Sequence, residues 1–147
     1  MEHILKISSL NSATALRLVK AGCDYAVTQG WHVAIAVTDQ AGHLAAFCRT
    51  DGAPSACAAI AQDKAYTAAS FQVNTRELAE NLQNEAPRVV DNLTACDRMS
   101  LFGGGVPVIL SGEVVGAIGV SGSSEKGDEA CAKAAINDVF GFGETEK

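Results

Sequence analysis

The segment that most constrains the fold is a glycine-rich loop that leads directly into two strand-like runs. Gly103, Gly104 and Gly105 form the loop, Pro107 follows it, and a Ser-Gly-Glu turn at residues 111–113 separates the two runs. Glycine adopts positive φ and lets other groups approach the main chain, whereas proline removes a backbone donor. The segment predicts a β-hairpin preceded by a loop in which a ligand can meet bare backbone. Alternatively, the glycines only permit a tight corner against a neighbouring subunit.

The rest of the chain predicts helices and a second hairpin. Apolar residues spaced three and four apart predict a first helix that is capped by Asn11 or Ser12 and stops at Gly30. Residues 33–49 predict a strand–turn–strand unit, and small alanines on one face of its first strand allow a helix to lie close. Further helices are predicted at residues 55–71, 75–84, 87–92 and 128–140. This order predicts an α+β fold around an antiparallel sheet, in a single domain spanning residues 1–147.

Composition excludes several classes of partner. The formal charge of −6 includes no cluster of lysine or arginine, which argues against nucleic acid. No apolar run reaches the roughly 18 residues of a membrane span, and residues 1–6 lack the features of a signal peptide. We therefore expect a cytoplasmic protein that binds neither nucleic acid nor membrane.

The metal-binding residue types lack the spacing of a structural metal site. Five cysteines are widely spaced without a Cys-x-x-Cys pair, so free thiols and no structural zinc are expected. His3, His32 and His43 form no pair at helical spacing. We expect His32 and His43 to hydrogen-bond locally, and Asp39 to stabilise its own turn.

Lys64 is the most suggestive ionisable residue, because the predicted helix at residues 55–71 would bury it. If it lines the glycine loop, it could bind a carboxylate or phosphate, or act as a base once desolvation lowers its pKa. The alternative is a structural role, either as an ion pair with Asp51 or Asp63 or as a chain that extends to solvent. Catalytic residues remain unassigned at this point.

Arg49 and Asp51 flank a predicted strand end. Together they could form a bidentate anion contact and its orienting carboxylate. Alternatively, they form a surface pair around the turn.

Four motifs occur in the order found in one known family. They are the Ala-Val-Thr-Asp-x-x-Gly-His-Leu run at residues 36–44, Arg-Thr-Asp-Gly-Ala at 49–53, Lys-Ala-Tyr-Thr-Ala-Ala-Ser-Phe at 64–71 and the glycine-rich hairpin. With the alanine-rich helix after Asp128 and Glu129, the chain resembles the GlcG/HbpS-like family, which includes the C-terminal domain of PduO. The resemblance implies a profilin-like fold, with a five-stranded antiparallel sheet between helical layers (α/β/α), and assembly into homo-oligomers.

The resemblance also implies a function and a ligand. It implies a small-ligand-binding protein for haem or a related tetrapyrrole, accessory to diol, glycerol or glycolate-type metabolism. Haem needs only one axial protein ligand, so His3 is a candidate for that position, with an unliganded tail residue as the alternative. The expected binding site comprises Arg49, Asp51, Lys64, Gly103, Gly104, Gly105 and Pro107. The alternatives are an enzyme that uses Lys64 and Arg49 on a small anionic metabolite, or a non-catalytic scaffold.

Overall fold

A computed structural model gives the structure of residues 3–141. In chain order its elements are α1 (Ser12–Gln29), β1 (Ala34–Asp39), β2 (Leu44–Arg49), α2 (Ala56–Phe71), α3 (Thr75–Leu82), α4 (Pro87–Thr94), β3 (Gly105–Leu110), β4 (Glu113–Ser121) and α5 (Glu125–Phe140).

The strands form one antiparallel sheet in the order β2-β1-β4-β3. The predicted α+β class and both hairpins are confirmed. Five strands were expected, however, and the sheet within residues 3–141 has four. The segment before α1 contacts the sheet through the Leu10 N–H, which donates to the Val115 carbonyl at 2.9 Å. Nearby, the Ser9 hydroxyl rather than a backbone carbonyl accepts from the Gln40 N–H, so no fifth ladder develops.

Helices cover both faces of the sheet, as the alanines of the first strand predicted. Val33, Ile35 and Val37 face α1 and α5, whereas Ala34 and Ala36 face α2. The contact with α2 is close. A Cβ on Gly119 of β4 would overlap the Ala61 carbonyl oxygen of that helix.

The helix ends follow local capping chemistry. The Asn11 side chain accepts from the Thr14 N–H at 2.8 Å, and Gly30 ends α1 in the left-handed conformation. The last helix was expected to begin at Asp128, but it begins at Glu125. The reason is that the Ser124 hydroxyl caps it by accepting from the Gly127 N–H at 3.0 Å, a Ser cap that the sequence reading overlooked.

Two further features concern surfaces. None of the residues of α4 is buried. Across residues 3–141, no helix combines the length and the apolar character needed to cross a bilayer.

One end of the sheet brings several elements together. The start of β3, the end of β4 and the start of α5 all meet there, beside the middle of α2.

Candidate functional site

Lys64 lies at that end of the sheet and is completely enclosed. Its side chain has 0% exposure, and its Nζ donates to the Val120 carbonyl at 3.0 Å and to Asp128 Oδ2 at 3.1 Å. The same Nζ lies 4.2 Å from the centroid of the Phe102 ring, within the range of a cation–π contact. The ammonium group is therefore surrounded by protein groups that satisfy it.

Asp128, in the first turn of α5, is the counter-charge that a buried lysine requires. Its Oδ1 accepts from the Ser123 N–H at 2.8 Å, so both carboxylate oxygens are used. Burial lowers the pKa of Lys64, and the Asp128 carboxylate opposes that shift. Burial likewise raises the pKa of Asp128 against the opposing effect of Lys64. Of the two structural alternatives, the ion pair forms, but with Asp128 rather than Asp51 or Asp63.

The glycine loop does bind an anion, and that anion belongs to the chain itself. The Gly103 N–H donates to Glu125 Oε2 at 2.6 Å, and the Gly105 N–H donates to the Thr75 hydroxyl at 3.0 Å. The Thr75 hydroxyl in turn donates to the Phe102 carbonyl at 2.6 Å. Two carboxylates from the first turn of α5 thus serve this region: Glu125 accepts a hydrogen bond from the loop, and Asp128 forms an ion pair with the lysine.

Gly104 brings the main chain against the lysine. Its φ is +131°, which residues with a side chain rarely adopt, and a Cβ added to Gly104 would lie 2.7 Å from Lys64 Nζ. The loop therefore provides the close backbone approach that its sequence predicted, toward a side chain of the same protein. We call Lys64, Asp128, Phe102 and the loop of Gly103, Gly104 and Gly105 the lysine cluster.

The structure does not bring Arg49 and Asp51 to the lysine cluster. Strand β1 lies between β2 and β4, so at about 4.8 Å per neighbouring pair β2 lies roughly 10 Å from the strand whose Val120 carbonyl accepts from Lys64. Arg49 Nη1 donates to the Ala53 carbonyl at 2.8 Å. Asp51 is exposed, and its backbone carbonyl lies 2.9 Å from His32 Nδ1. Both residues thus make local contacts around the start of the β2–α2 connection.

Pro107 and His3 also lie apart from the lysine cluster. Pro107 lines a separate pocket of about 330 Å³ on β3, together with Asn74 and Lys133. His3 is exposed in the extended segment before α1. Of the predicted binding residues, only Lys64 and the three loop glycines are in direct contact.

Sequence reasoning missed the acidic partners of the cluster. It placed Asp128 in the first turn of a helix and explained it by the helix dipole alone. A buried lysine requires a buried carboxylate, and the neighbouring Asp63 lies beside Arg98 instead, so the partner of Lys64 had to come from a distant segment. Glu125, Thr75 and Phe102 lay in segments that carried no recognisable motif.

A second region, at the β1–β2 turn, is open to solvent. A groove of about 600 Å³ runs between this turn, α2 and the connection after α4. Its lining includes His43, Leu44, Ala58, Ala59, Asp63 and Arg98. We call it the His43 groove.

Asp39 orients His43 in this groove. Asp39 Oδ1 accepts from the His43 N–H at 2.9 Å, and Oδ2 lies 3.5 Å from ring Nδ1. The turn role expected for Asp39 is therefore seen, as is the local contact expected for His43. The His43 side chain is nevertheless 81% exposed, and Nε2, on the far side of the ring, is directed away from Asp39.

The two regions differ in the groups that they leave available to a ligand. Within residues 3–141, no group of three or more histidine, cysteine or acidic side chains is arranged to hold a metal ion on its own. The His43 groove instead combines an imidazole, a guanidinium group and three aliphatic side chains with the polar side chains of Ser55, Gln62 and Asp63. Of these groups, the imidazole, the aliphatic side chains and the guanidinium are suited to a haem, whereas the Asp63 carboxylate is not suited to its propionates.

Fold and site together define a class, namely small α+β proteins with an antiparallel sheet between helical layers. The family described as "Haem degrading protein HbpS-like" matches residues 10–137. The chain belongs to this HbpS-like family, and the predicted resemblance is confirmed.

Two curated relatives are similar over most of their length. The chain is 33% identical to a 15.0 kDa protein in the dhaT-dhaS intergenic region of Citrobacter freundii, covering 93% of this chain and 96% of the relative. It is 36% identical to protein GlcG of Escherichia coli K12, covering 76% of this chain and 81% of GlcG.

Two solved structures share the fold. Protein ORFY of Klebsiella pneumoniae superposes with a TM-score of 0.87 at 30% identity, covering 98% of this chain and 99% of ORFY. A PduOC:heme complex superposes with a TM-score of 0.82 at 25% identity, covering 94% of this chain and 99% of PduOC.

Proposed function

We propose that this protein is an oligomeric small-ligand-binding protein whose ligand is haem or a related tetrapyrrole. The observation that carries the proposal is the near full-length similarity to the PduOC:heme complex, together with membership of a family named for haem degradation. The His43 groove adds support, because it supplies an imidazole beside aliphatic side chains. When bound, haem supplies an iron centre for ligand binding or redox chemistry.

Self-association is the second part of the proposal. Large apolar side chains are exposed before α1, with Ile4 71% and Leu5 82% exposed, and α4 has no buried residue. Apolar surface of this kind favours burial against another copy of the chain. Sedimentation of the purified protein would test this part, because a monomer at micromolar concentration would contradict it.

The biological setting is a further proposal. We propose a cytoplasmic accessory role in diol, glycerol or glycolate-type metabolism. Its support is the similarity to GlcG and to a protein in the dhaT-dhaS intergenic region.

The alternative function, an enzyme that uses Lys64 and Arg49 on a small anionic metabolite, has less geometric support. Lys64 has no exposed surface and already pairs with Asp128, while Arg49 lies toward the opposite edge of the sheet. An anionic substrate would have to displace Asp128 to reach the ammonium group. A scaffold without a ligand is the remaining alternative, and it predicts no saturable binding.

Haem binding is tested by titrating the full chain with hemin and following the Soret band. We expect a shifted band that saturates at a fixed ratio of hemin to chain and disappears when the same sample is unfolded in guanidinium chloride. Absorbance that rises without saturation, and equally with folded and unfolded chain, would remove haem from the proposed function.

A further inference from the structure

The His43 groove contains three kinds of group that can contact a haem, namely an imidazole, aliphatic side chains and a guanidinium group. Its small side chains leave room for a flat ligand. Ala58 and Ala59 lie on α2, and Leu44 follows His43 directly at the start of β2. These two alanines and the leucine form the aliphatic wall of the groove, and Ser55 and Gln62 add uncharged polar side chains to its lining. The groove volume of about 600 Å³ lies within the roughly 300–1,000 Å³ range of small-molecule sites.

His43 has the orientation of a metal ligand. In protein metal sites, a ligating histidine usually directs its second ring nitrogen at a carboxylate or carbonyl, which fixes the tautomer and raises the basicity of the ligating nitrogen. Asp39 Oδ2 lies in that position, 3.5 Å from Nδ1, while its other oxygen is fixed by the His43 N–H. In the neutral tautomer with the proton on Nδ1, Nε2 keeps a free lone pair, and His43 is one of the side chains that line the groove.

Arg98 supplies the cation for a propionate. Its guanidinium group stacks on the Tyr66 ring, with Cζ 4.0 Å from the ring centroid, and this stacking limits its freedom. Its Nε lies 3.7 Å from Asp63 Oδ1, longer than a strong charge-assisted hydrogen bond. The side chain remains 44% exposed, so donors are available to a carboxylate of the ligand.

From these three observations we infer that the His43 groove holds one face of the haem, with His43 Nε2 as an axial ligand and Arg98 bound to a propionate. This inference rests on the proposed haem function and assigns its site. It places the axial ligand at His43, which has a carboxylate beside its ring, whereas the sequence suggested His3.

The axial role is tested by comparing hemin with iron-free protoporphyrin IX. His43→Ala should weaken hemin binding about ten-fold or more and shift the Soret and electron paramagnetic resonance signals of the ferric complex. Protoporphyrin IX has no iron, so the same substitution should leave its affinity, followed by fluorescence, within about two-fold of wild type. His3→Ala and His32→Ala are the matched controls, and both should retain the wild-type signals.

The propionate contact is tested by two substitutions with opposite expected signs. Arg98→Ala should weaken hemin and protoporphyrin IX alike by several-fold, because both carry the carboxylates. Asp63→Asn should strengthen both, since it removes the carboxylate that competes for Arg98. Thermal melts of every apo variant should match wild type, because none of these side chains is buried.

The outcomes separate the inference from the function on which it rests. If wild type binds hemin saturably and His43→Ala leaves its affinity and spectra unchanged, the site is wrong while the haem function stands. Equal weakening of hemin and protoporphyrin IX by His43→Ala would also overturn the axial role. If wild type shows no saturable binding of hemin, the proposed function fails and the site fails with it.

Discussion

The lysine cluster and the His43 groove present ionisable side chains in opposite ways. In the cluster, the ammonium of Lys64 and the carboxylate of Asp128 are enclosed and satisfied by groups of the same chain. In the groove, His43 is 81% exposed and one ring nitrogen is directed away from its protein partner. The difference indicates that a buried charge with all of its partners stabilises the fold. An exposed side chain with an unpaired nitrogen, in contrast, can still bind a ligand.

The largest effect should come from breaking the buried pair. Lys64→Met removes the ammonium and leaves the Asp128 carboxylate buried without its counter-charge, which should lower the free energy of unfolding by about 3–5 kcal/mol. Chemical denaturation of the apo protein measures this. Hemin affinity per folded chain should stay near wild type, because the groove does not include Lys64.

A double variant sharpens that result. Lys64→Met with Asp128→Asn removes both charges, and the Asn side-chain oxygen still accepts from the Ser123 N–H. It should recover more than half of the lost stability, because neutralising both partners avoids an unpaired buried charge. A double variant as unstable as the single one would mean that the packing of the lysine stem, not its charge, dominates.

Crowding at Gly104 should have the next largest effect. Gly104→Ala places a Cβ 2.5 Å from the Val120 carbonyl oxygen and 2.7 Å from Lys64 Nζ at a φ of +131°, and we expect a loss of about 3 kcal/mol in unfolding free energy. Gly112→Ala is the matched control, because its φ is also positive at +79° but open space surrounds it. That control should lose only about 1 kcal/mol, and equal losses would show that backbone strain alone accounts for both.

A smaller, pH-dependent effect is expected at Glu129, an ion-paired residue of α5 that is 12% exposed. Burial opposes its ionisation, but hydrogen bonds from Lys133 and Arg76 outweigh this and lower the pKa of the carboxyl group. Because the pKa of Glu129 is lower in the folded state, its ionisation stabilises the fold at pH values above the unfolded-state pKa near 4.5. That stabilisation is lost as the pH falls through the folded-state pKa. Glu129→Gln should therefore cost about 0.5–1 kcal/mol at pH 7, allowing for solvent screening.

The pH series of unfolding free energies gives the check on Glu129. The difference between Glu129→Gln and wild type should shrink as pH falls below 4.5 and disappear once wild-type Glu129 is protonated. A difference that is constant from pH 7 to pH 3 would show that shape, rather than charge, explains the loss.

The smallest effect on stability should come from the groove itself. Leu44 is 47% exposed, so Leu44→Ser should change the free energy of unfolding by less than about 0.5 kcal/mol. It should still weaken hemin binding several-fold, since it removes part of the aliphatic wall. Leu16→Ser on α1, at a 62% exposed leucine outside the groove, should change neither quantity.

The sequence predicted the fold well because its signals are local. Three of these signals appear in the structure: the alternation of larger apolar residues with alanines along β1, the cap at Asn11 and the turn at residues 111–113. Each specifies only the backbone next to it. The start of α5 was misplaced because Ser124, a suitable cap, lies within a polar run that was interpreted as a connection.

The candidate site was harder to predict because its contacts are distant in sequence. Lys64 and Asp128 are separated by 64 residues, and only the finished sheet brings them together. The glycine loop was correctly interpreted as a place where another group approaches the main chain, but spacing does not reveal that Glu125 and Thr75 are those groups. The roles predicted for Arg49, Asp51 and Pro107 remain predictions.

The close contact of α2 with β4 has a consequence for how variation in this family should be interpreted. At Gly119 the obstacle to a Cβ is the main chain of α2, with the Ala65 nitrogen 2.6 Å from that position, and a main chain has no rotamer that could make room. Any larger residue there would have to lift the whole helix off the sheet. Invariance of this glycine across related sequences would therefore record the spacing between two layers, and it would carry no information about which ligand each relative recognises.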